Sequence, residues 1–419
     1  MIRRTFVLLS ATLALAACAV GPYGGPGSYG APQSLGQAPP GAVAPAGRRV
    51  AILLPLSGPM AGIGQAMLNA AKLALSGPGS PPLESFDTQG SPAGAAAAAQ
   101  QAIAQKAGLI LGPLTAPETA AVAPVARAAG VNVLAFTNDS QQAGPGVWTL
   151  GISPGQQVGR LVRAAQAGGR TRLAALVPNS PFGQSLASAL SQDAASAGDP
   201  PPRIQTYGGS FASMNAAARD ISDYANRRGP LDARIKAANS QGTAAGRVLA
   251  HRLARQPIPP APFDGLLLAA TGENLREMAT LLPYYDMAQP QVRLMGPMLW
   301  AQQASQIAGV SGLAGAWYPA PDPTTRIPFT VQYTQAYGSA PPLVADLAFD
   351  AAAIARVAAD GPGFTAGALT SPAGFTGVDG PIVLTQGGHV RRGLALFRIA
   401  PGGGTMIQPA PATLTGPSS

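Results

Sequence analysis

The chain has a single cysteine, Cys18, among its 419 residues. One thiol excludes an internal disulfide framework and any cysteine-based zinc or iron–sulfur site. Histidine is nearly as scarce: His251 and His389 stand alone and far apart, too few for a metal triad. The sequence holds no G-x-S-x-G, S-x-x-K, H-E-x-x-H or P-loop. The nearest hydrolase-like string, "GVSGL" from Gly309, lacks the second spaced glycine and a strand–turn–helix setting. Charge is sparse at 11%, and Lys72, Lys106 and Lys236 are the only lysines. No Lys/Arg run interleaves with aromatics, so nucleic-acid binding has little support. These absences leave no expected catalytic residues, metal or cofactor, and they point to a protein that binds rather than turns over. The formal net charge of +9, almost all from arginine, suits an anionic polymer or an acidic partner face. A GC-rich genome's preference for arginine is the plain alternative.

What is present begins with a targeting segment. Arg3 and Arg4 precede an apolar run, Phe6 to Ala17, that is too short to span a bilayer. It ends in Leu15-Ala16-Ala17-Cys18, which resembles a bacterial lipobox. That resemblance implies a signal peptide over 1–17 and lipidation of Cys18. The alternative is an ordinary signal peptide cleaved after Ala17, leaving a free thiol. Ala19 stands where lipoproteins retained in the inner membrane carry Asp, which implies an outer-membrane anchor facing the periplasm of a Gram-negative bacterium. Residues 18–47 are Gly, Pro, Ala, Gln and Ser with almost no branched aliphatics, a disordered tether. Such a segment reaches roughly 90 Å if polyproline-like and roughly 30 Å as a coil. No later apolar run approaches ~18 residues, so the lipid anchor is the only expected membrane attachment.

From Arg49 onward, apolar strand runs alternate with helical runs. "RVAILLPL", "LILG" and "VNVLAF" are strands separated by helices, and after "VWTLG" a second series restarts with "RLAALVP", "IQTYG", "DGLLLAAT" and "VRLMG". Near-continuous apolar strands alternating with helices predict an α/β fold in two lobes, each a mostly parallel sheet flanked by helices. Residues 227–262 break the pattern as an arginine-rich helical insertion in the second lobe. The Gly/Pro/Ser/Thr composition of 401–419 predicts a disordered tail.

In open parallel sheets, ligands sit beyond the carboxyl ends of the strands. The loops there carry Ser57, Thr115, and Asn138 to Ser140, all hydroxyl or amide side chains; simple capping of the next helix accounts for them equally well. Asp346 and Asp350 lie one helical turn apart, a spacing that suits paired carboxylates, a solvated face or a helix partner.

The order of "ILLPLSGPMAGIGQAMLNAAKLAL", "LILGPLTAPETAAVAPVARAAGVNVLAF", "ALVPNSPFGQSLASAL" and "FTGVDGPIVLTQGGHVRRGLALFRI" resembles the type I periplasmic-binding-protein fold of the leucine/isoleucine/valine-binding kind. The resemblance covers Arg49 to Ala400 and implies lobe 1 from 48–151 with 319–370, and lobe 2 from 152–318 with 371–400. It places Thr115 and the Asn138 to Ser140 stretch as cleft residues for a ligand carboxylate and Phe182 as a stacking aromatic, with Ser57 of the first loop as a further cleft candidate. The acid that binds an amino acid's ammonium group would fall in Gly296-Pro297-Met298-Leu299, where this chain has Met298, with Trp300 beside it. Burying an unpaired ammonium costs several kcal/mol, so zwitterionic ligands are disfavoured.

A narrower likeness, in "PFDGLLLAATGENLREMATLLPYYD", "RLMGPMLW", "LAGAWYPAPDP" and "FTVQYTQAYGSAPPLVADLAFDAAAIA", is to the lipoproteins known as penicillin-binding protein activators. It implies non-enzymatic stimulation of a class A penicillin-binding protein by contact, near peptidoglycan. The best-studied members carry a helical-repeat domain ahead of this fold, and only the tether stands there. The alternative is a solute-binding lipoprotein of an ABC importer, taking a small branched-chain-amino-acid-like, amide or aromatic ligand in the cleft.

Overall fold

The computed structural model of the chain describes residues 47–412 and 414. The leader, Cys18, the tether as far as residue 46 and the last residues of the tail lie outside the described residues.

The first series runs β1 (Arg49–Leu54), α1 (Ala61–Ala74), β2 (Leu83–Asp87), α2 (Pro92–Ala104), β3 (Ala107–Leu111), α3 (Ala116–Ala128), β4 (Asn132–Ala135) and β5 (Val147–Thr149). Its strands form one parallel sheet in the order β2-β1-β3-β4-β5. The period of two in β1 sorts its side chains between two cores. Val50, Ile52 and Leu54 join one, and Ala51 and Leu53 join the other, all fully buried. Each such Leu or Ile contributes roughly 1.5–3 kcal/mol by leaving water. Several prolines stand where helices begin: Ser91, Ser153 and Ser180 cap helices whose first residues are Pro92, Pro154 and Pro181.

The second series runs α4 (Pro154–Ala167), β6 (Leu173–Pro178), α5 (Pro181–Ser196), β7 (Arg203–Tyr207), α6 (Phe211–Ile221), α7 (Tyr224–Ser240), α8 (Ala244–Ala254), β8 (Gly265–Leu268), α9 (Gly272–Tyr284), β9 (Arg293–Met295), α10 (Trp300–Ile307) and β10 (Trp317–Ala320). The chain then returns to the first core with α11 (Pro323–Tyr337), α12 (Ala345–Asp360), α13 (Ala366–Leu369), β11 (Phe375–Gly377), β12 (Gly380–Leu384) and β13 (Val390–Arg392), and closes with β14 (Ala395–Ala400) and β15 (Gly403–Gln408). The second sheet has the order β15-β14-β10-β9-β8-β6-β7, parallel except for the last two strands.

Three differences from the sequence expectations have physical causes. Residues 375–392, expected in the second lobe, form an antiparallel three-stranded sheet whose Val378, Ile382, Leu384 and Val390 join the first core instead. Only β14 and β15 belong to the second sheet. The tail, expected to be disordered from 401, contributes β15, because β14 offers an open edge that a Gly-rich strand can pair with. The insertion, expected from 227, begins at Tyr224 as two helices, α7 and α8, because the chain turns at Asp223, which takes a left-handed φ of 56°.

Three crossings join the sheets: Leu150 to Ser153, Pro321 to Asp322, and Gly393 to Leu394. They are tied together, with Arg392 donating through Nε to the Leu150 carbonyl at 2.8 Å and Arg160 to the Leu394 carbonyl at 2.8 Å. Gln156 also donates to the Val390 carbonyl.

Candidate functional site

The carboxyl ends of β1, β3 and β4 meet at one edge of the first sheet, where the sequence places its ligand-binding loops. Each loop is bound by a carboxylate of the protein itself. Beyond β1, Asp87 accepts hydrogen bonds from the backbone N–H of Leu56 at 2.9 Å and of Gln89 at 2.8 Å. Partial burial pushes the Asp87 carboxyl up, but the Ser57 hydroxyl and the N–H groups of Gln89, Leu56 and Ser57 outweigh it and hold the acid below its ordinary range. Beyond β3, Thr115 starts α3 as a capping box: its hydroxyl donates to Glu118 Oε2 at 2.8 Å and its N–H to the same oxygen at 3.0 Å. Glu118 is wholly buried, and its other oxygen, Oε1, has no hydrogen-bond partner. Beyond β4, Asp139 accepts from the Gln141 N–H at 3.0 Å and the Gln142 side chain at 3.2 Å, opening a short 3-10 turn at Ser140. Asn138 is exposed.

At the first two loops a ligand carboxylate would therefore meet donors already engaged, with Asp87 and Glu118 beside them, whereas at the third Asp139 engages Gln141 and Gln142 and not the side chains of Asn138 and Ser140. None of the three acids was singled out in the sequence, although "TAPE", a capping-box signature, could have pointed to Glu118. Asp87 gives no such signal, because it reaches its loop from the neighbouring strand β2.

The facing loops of the second sheet are also internally satisfied. Ser180 caps α5 through the Gly183 N–H at 3.2 Å, and Phe182 is half-buried against the core that lies over α4 and α5. The Gly272 N–H, at the start of α9, donates to Gln303 at 3.0 Å. Met298 is half-buried against the other second-lobe core, and its N–H donates to the buried side chain of Gln157 at 3.0 Å. Trp300 does not line a cleft. It is 0% exposed, and its indole N–H donates to the Ala270 carbonyl at 2.8 Å. The ring lies across Gly296, where a Cβ would fall inside the indole, so the Gly-Pro turn exists to admit the tryptophan. A large aromatic ring with one polar handle is a natural core filler once that handle finds a carbonyl.

The paired aspartates turn out to be buried in a charged cluster beneath the crossings. Arg326 holds Asp346 through two hydrogen bonds, 2.6 and 2.9 Å. Asp350 accepts from Arg392 at 2.9 Å and from the Val378 N–H at 2.6 Å. Asp379, in the two-residue turn between β11 and β12, completes the group. Burial pushes its carboxyl up to about 7 against the pull of Arg392, with Asp346 and Asp350 adding to the rise. Three carboxylates face two guanidiniums; Arg392 and the aspartate it holds are buried, while Arg326 reaches a surface groove, beside Ile327 and Val331.

Among the described residues no group of three His, Cys, Asp or Glu is placed to hold a metal ion, and no helix is long and apolar enough to cross a membrane. Two alternating α/β halves and a second sheet that takes its last strands from the chain's end together form the architecture that the family comparison recognises. Residues 48–404 match the model of a family described as periplasmic binding protein. The chain belongs to that family.

Structures of other periplasmic-binding-type proteins agree on the fold. A provisionally assigned branched-chain amino acid ABC transporter from Rhodospirillum rubrum is 16% identical with a TM-score of 0.65, covering 86% of this chain and 99% of that one. Full-length LpoA from Haemophilus influenzae is 15% identical with a TM-score of 0.62, covering 88% of this chain but 60% of LpoA. The C-domain of the same protein, a regulator of PBP1A, is 16% identical and is covered to 99%, with a TM-score of 0.60. A solute-binding protein from R. palustris in complex with benzoate is 15% identical, with 87% of this chain and 98% of that one covered and a TM-score of 0.50. No curated protein matches the sequence. The family and these neighbours are binding proteins and a regulator rather than enzymes, and the family suggests a periplasmic location.

Proposed function

We propose that this periplasmic binding protein has given up solute capture and acts as a non-enzymatic, outer-membrane-anchored activator of a class A penicillin-binding protein. The observation that carries the reading is the capping box at Thr115: the hydroxyl and N–H suited to a ligand carboxylate are taken by the buried Glu118. Met298, in place of an acid on the facing loop, removes the partner for an ammonium group. Similarity to the LpoA C-domain, a regulator of PBP1A, supports a protein partner for the same fold. Lipidation at Cys18 and the tether up to residue 47 would hold a weak binder at high local concentration near its target, provided the tether spans the gap.

The test is glycan-chain polymerisation by a purified class A synthase from the same organism, with and without the purified protein. Stimulation supports the proposal; an unchanged rate with every class A synthase of that organism defeats it. The second reading, an importer's solute-binding protein, draws on the neighbour that holds benzoate, an aromatic acid lacking an ammonium group. It predicts a ligand-dependent rise in the unfolding temperature instead.

A further inference from the structure

On the second lobe, a groove of about 430 Å³ lies between α6, the start of α7 and the end of α9. Helices α6 and α9 each follow a strand and run back alongside it, so their last turns lie at the opposite end of the sheet from the strand-end loops. The groove is therefore separate from the candidate ligand loops at the strand ends. Three tyrosines form one wall. Tyr224 and Tyr284 stack with centroids 6.1 Å apart and planes 30° apart, and Tyr285 meets Tyr284 edge-on at 4.9 Å. Tyr285 is pinned by its hydroxyl, which donates to Asn215 at 2.8 Å. Tyr284 is 66% exposed, an aromatic face held rigid in water.

The base of this wall is fixed by Arg227, whose side chain is 6% exposed. It donates to the carbonyls of Pro259 at 2.7 Å, Ser222 at 3.0 Å and Tyr285 at 3.2 Å, and pairs with Asp286 at 3.1 Å. The insertion is thereby bolted to the end of α9, and the groove is preorganised. Arg219, Arg228 and Asp232 complete a lining more polar than apolar. Residues 211–262 carry eight basic and three acidic side chains.

We propose that this groove binds an acidic saccharide. A pyranose ring has an apolar C–H face that matches a fixed tyrosine ring, and a rim of hydroxyls that needs both donors and acceptors. Tyr284 supplies the face, and Asn215 and the second carboxylate oxygen of Asp232 supply acceptors. Arg219 and the terminal N–H groups of Arg228, whose Nε is held by Asp232 at 2.8 Å, supply donors. The lining sets Arg219 and Arg228 against Asp232, one positive charge in excess, which favours a sugar that bears a carboxylate. A peptide strand is less suited, because an open sheet edge or a continuous apolar trough is missing from the lining.

The test is calorimetric titration of the whole protein with the disaccharide of N-acetylglucosamine and N-acetylmuramic acid, alongside neutral chitobiose and poly-glutamate. The expected result is saturable binding of the acidic disaccharide, weaker binding of chitobiose, and a loss of roughly tenfold in Tyr284→Ala. Tyr284 is exposed, so its unfolding temperature serves as a control for folding, and Arg219→Gln should weaken the acidic sugar more than the neutral one. No saturable binding of either sugar overturns the proposal, as does Tyr284→Ala binding like the parent. Binding of poly-glutamate alone, lost in Tyr284→Ala, overturns it in favour of an acidic protein segment. The titration needs no synthase, so its failure leaves the proposed activation standing.

Discussion

The cluster of Asp346, Asp350, Asp379, Arg326 and Arg392 makes a prediction that runs against the usual behaviour of buried acids with arginine partners. Three carboxylates and two guanidiniums leave one negative charge in excess in a site from which water is largely excluded. Burial pushes all three carboxyls up, Asp379 to about 7, so the cluster holds on to a proton well above the ordinary carboxylate range. An unfolded aspartate ionises near its ordinary value of 3.8. Between those two values the folded state binds the extra proton and the unfolded state does not, so stability is full below the unfolded value and falls as pH rises through about 7. The displacement corresponds to roughly 4 kcal/mol if Asp379 carries it alone, and less if Asp346 and Asp350 share the proton. Asp379→Asn keeps the shape and removes the titration. In urea unfolding of the parent and the variant, the variant's advantage should grow by roughly 2–3 kcal/mol between about pH 4.5 and about pH 8. Comparing the two proteins cancels the other acids. Parallel pH profiles, or a variant destabilised equally at both pH values, would refute the reasoning.

Three further perturbations address other parts of the account. Thr115→Ala removes the cap of α3 and one partner of the buried Glu118, and should lower stability by roughly 1–2 kcal/mol in urea unfolding; no change would mean that Glu118 is satisfied elsewhere. Trp300→Ala should cost roughly 3–5 kcal/mol at an unchanged urea slope, whereas a residue lining an open cleft would cost under ~1 kcal/mol. Arg227→Met should cost roughly 3 kcal/mol by leaving three carbonyls without their donor, and Arg227→Lys should recover little, because an ammonium cannot reproduce the planar fork. A full rescue by lysine would show that charge alone matters there.

The sheets were legible because their strands are buried on both faces. "RVAILLPL" and "DGLLLAAT" read as strands without any knowledge of their neighbours. The helix starts were legible wherever Ser or Thr precedes Pro. The tail strand β15 was not: "GGTMIQ" has little strand character, and it is held by pairing with β14, a tertiary partner its own composition does not announce. The same holds for 375–392, where the strands' apolar residues fit either core and only packing chooses. At the site, Thr115 was singled out by residue type, but its occupation by Glu118 changes what that hydroxyl can do. Trp300 looked like cleft bulk because it follows a Gly-Pro turn, and the turn turned out to serve the packing of the ring. The tyrosine wall was invisible as a unit, since Tyr224 lies some sixty residues before Tyr284 and Tyr285 and the stretches meet only in the fold, ring against ring and through Arg227.

The central claim, that the donors beyond β1 and β3 are engaged by the protein's own acids, is tested most directly by calorimetric titration of the purified protein with leucine, branched-chain amides and benzoate. The account predicts no saturable heat from any of them and no change on Thr115→Ala. Saturable binding of one of these ligands, weakened in Thr115→Ala at constant folding, would contradict it and return the protein to solute capture.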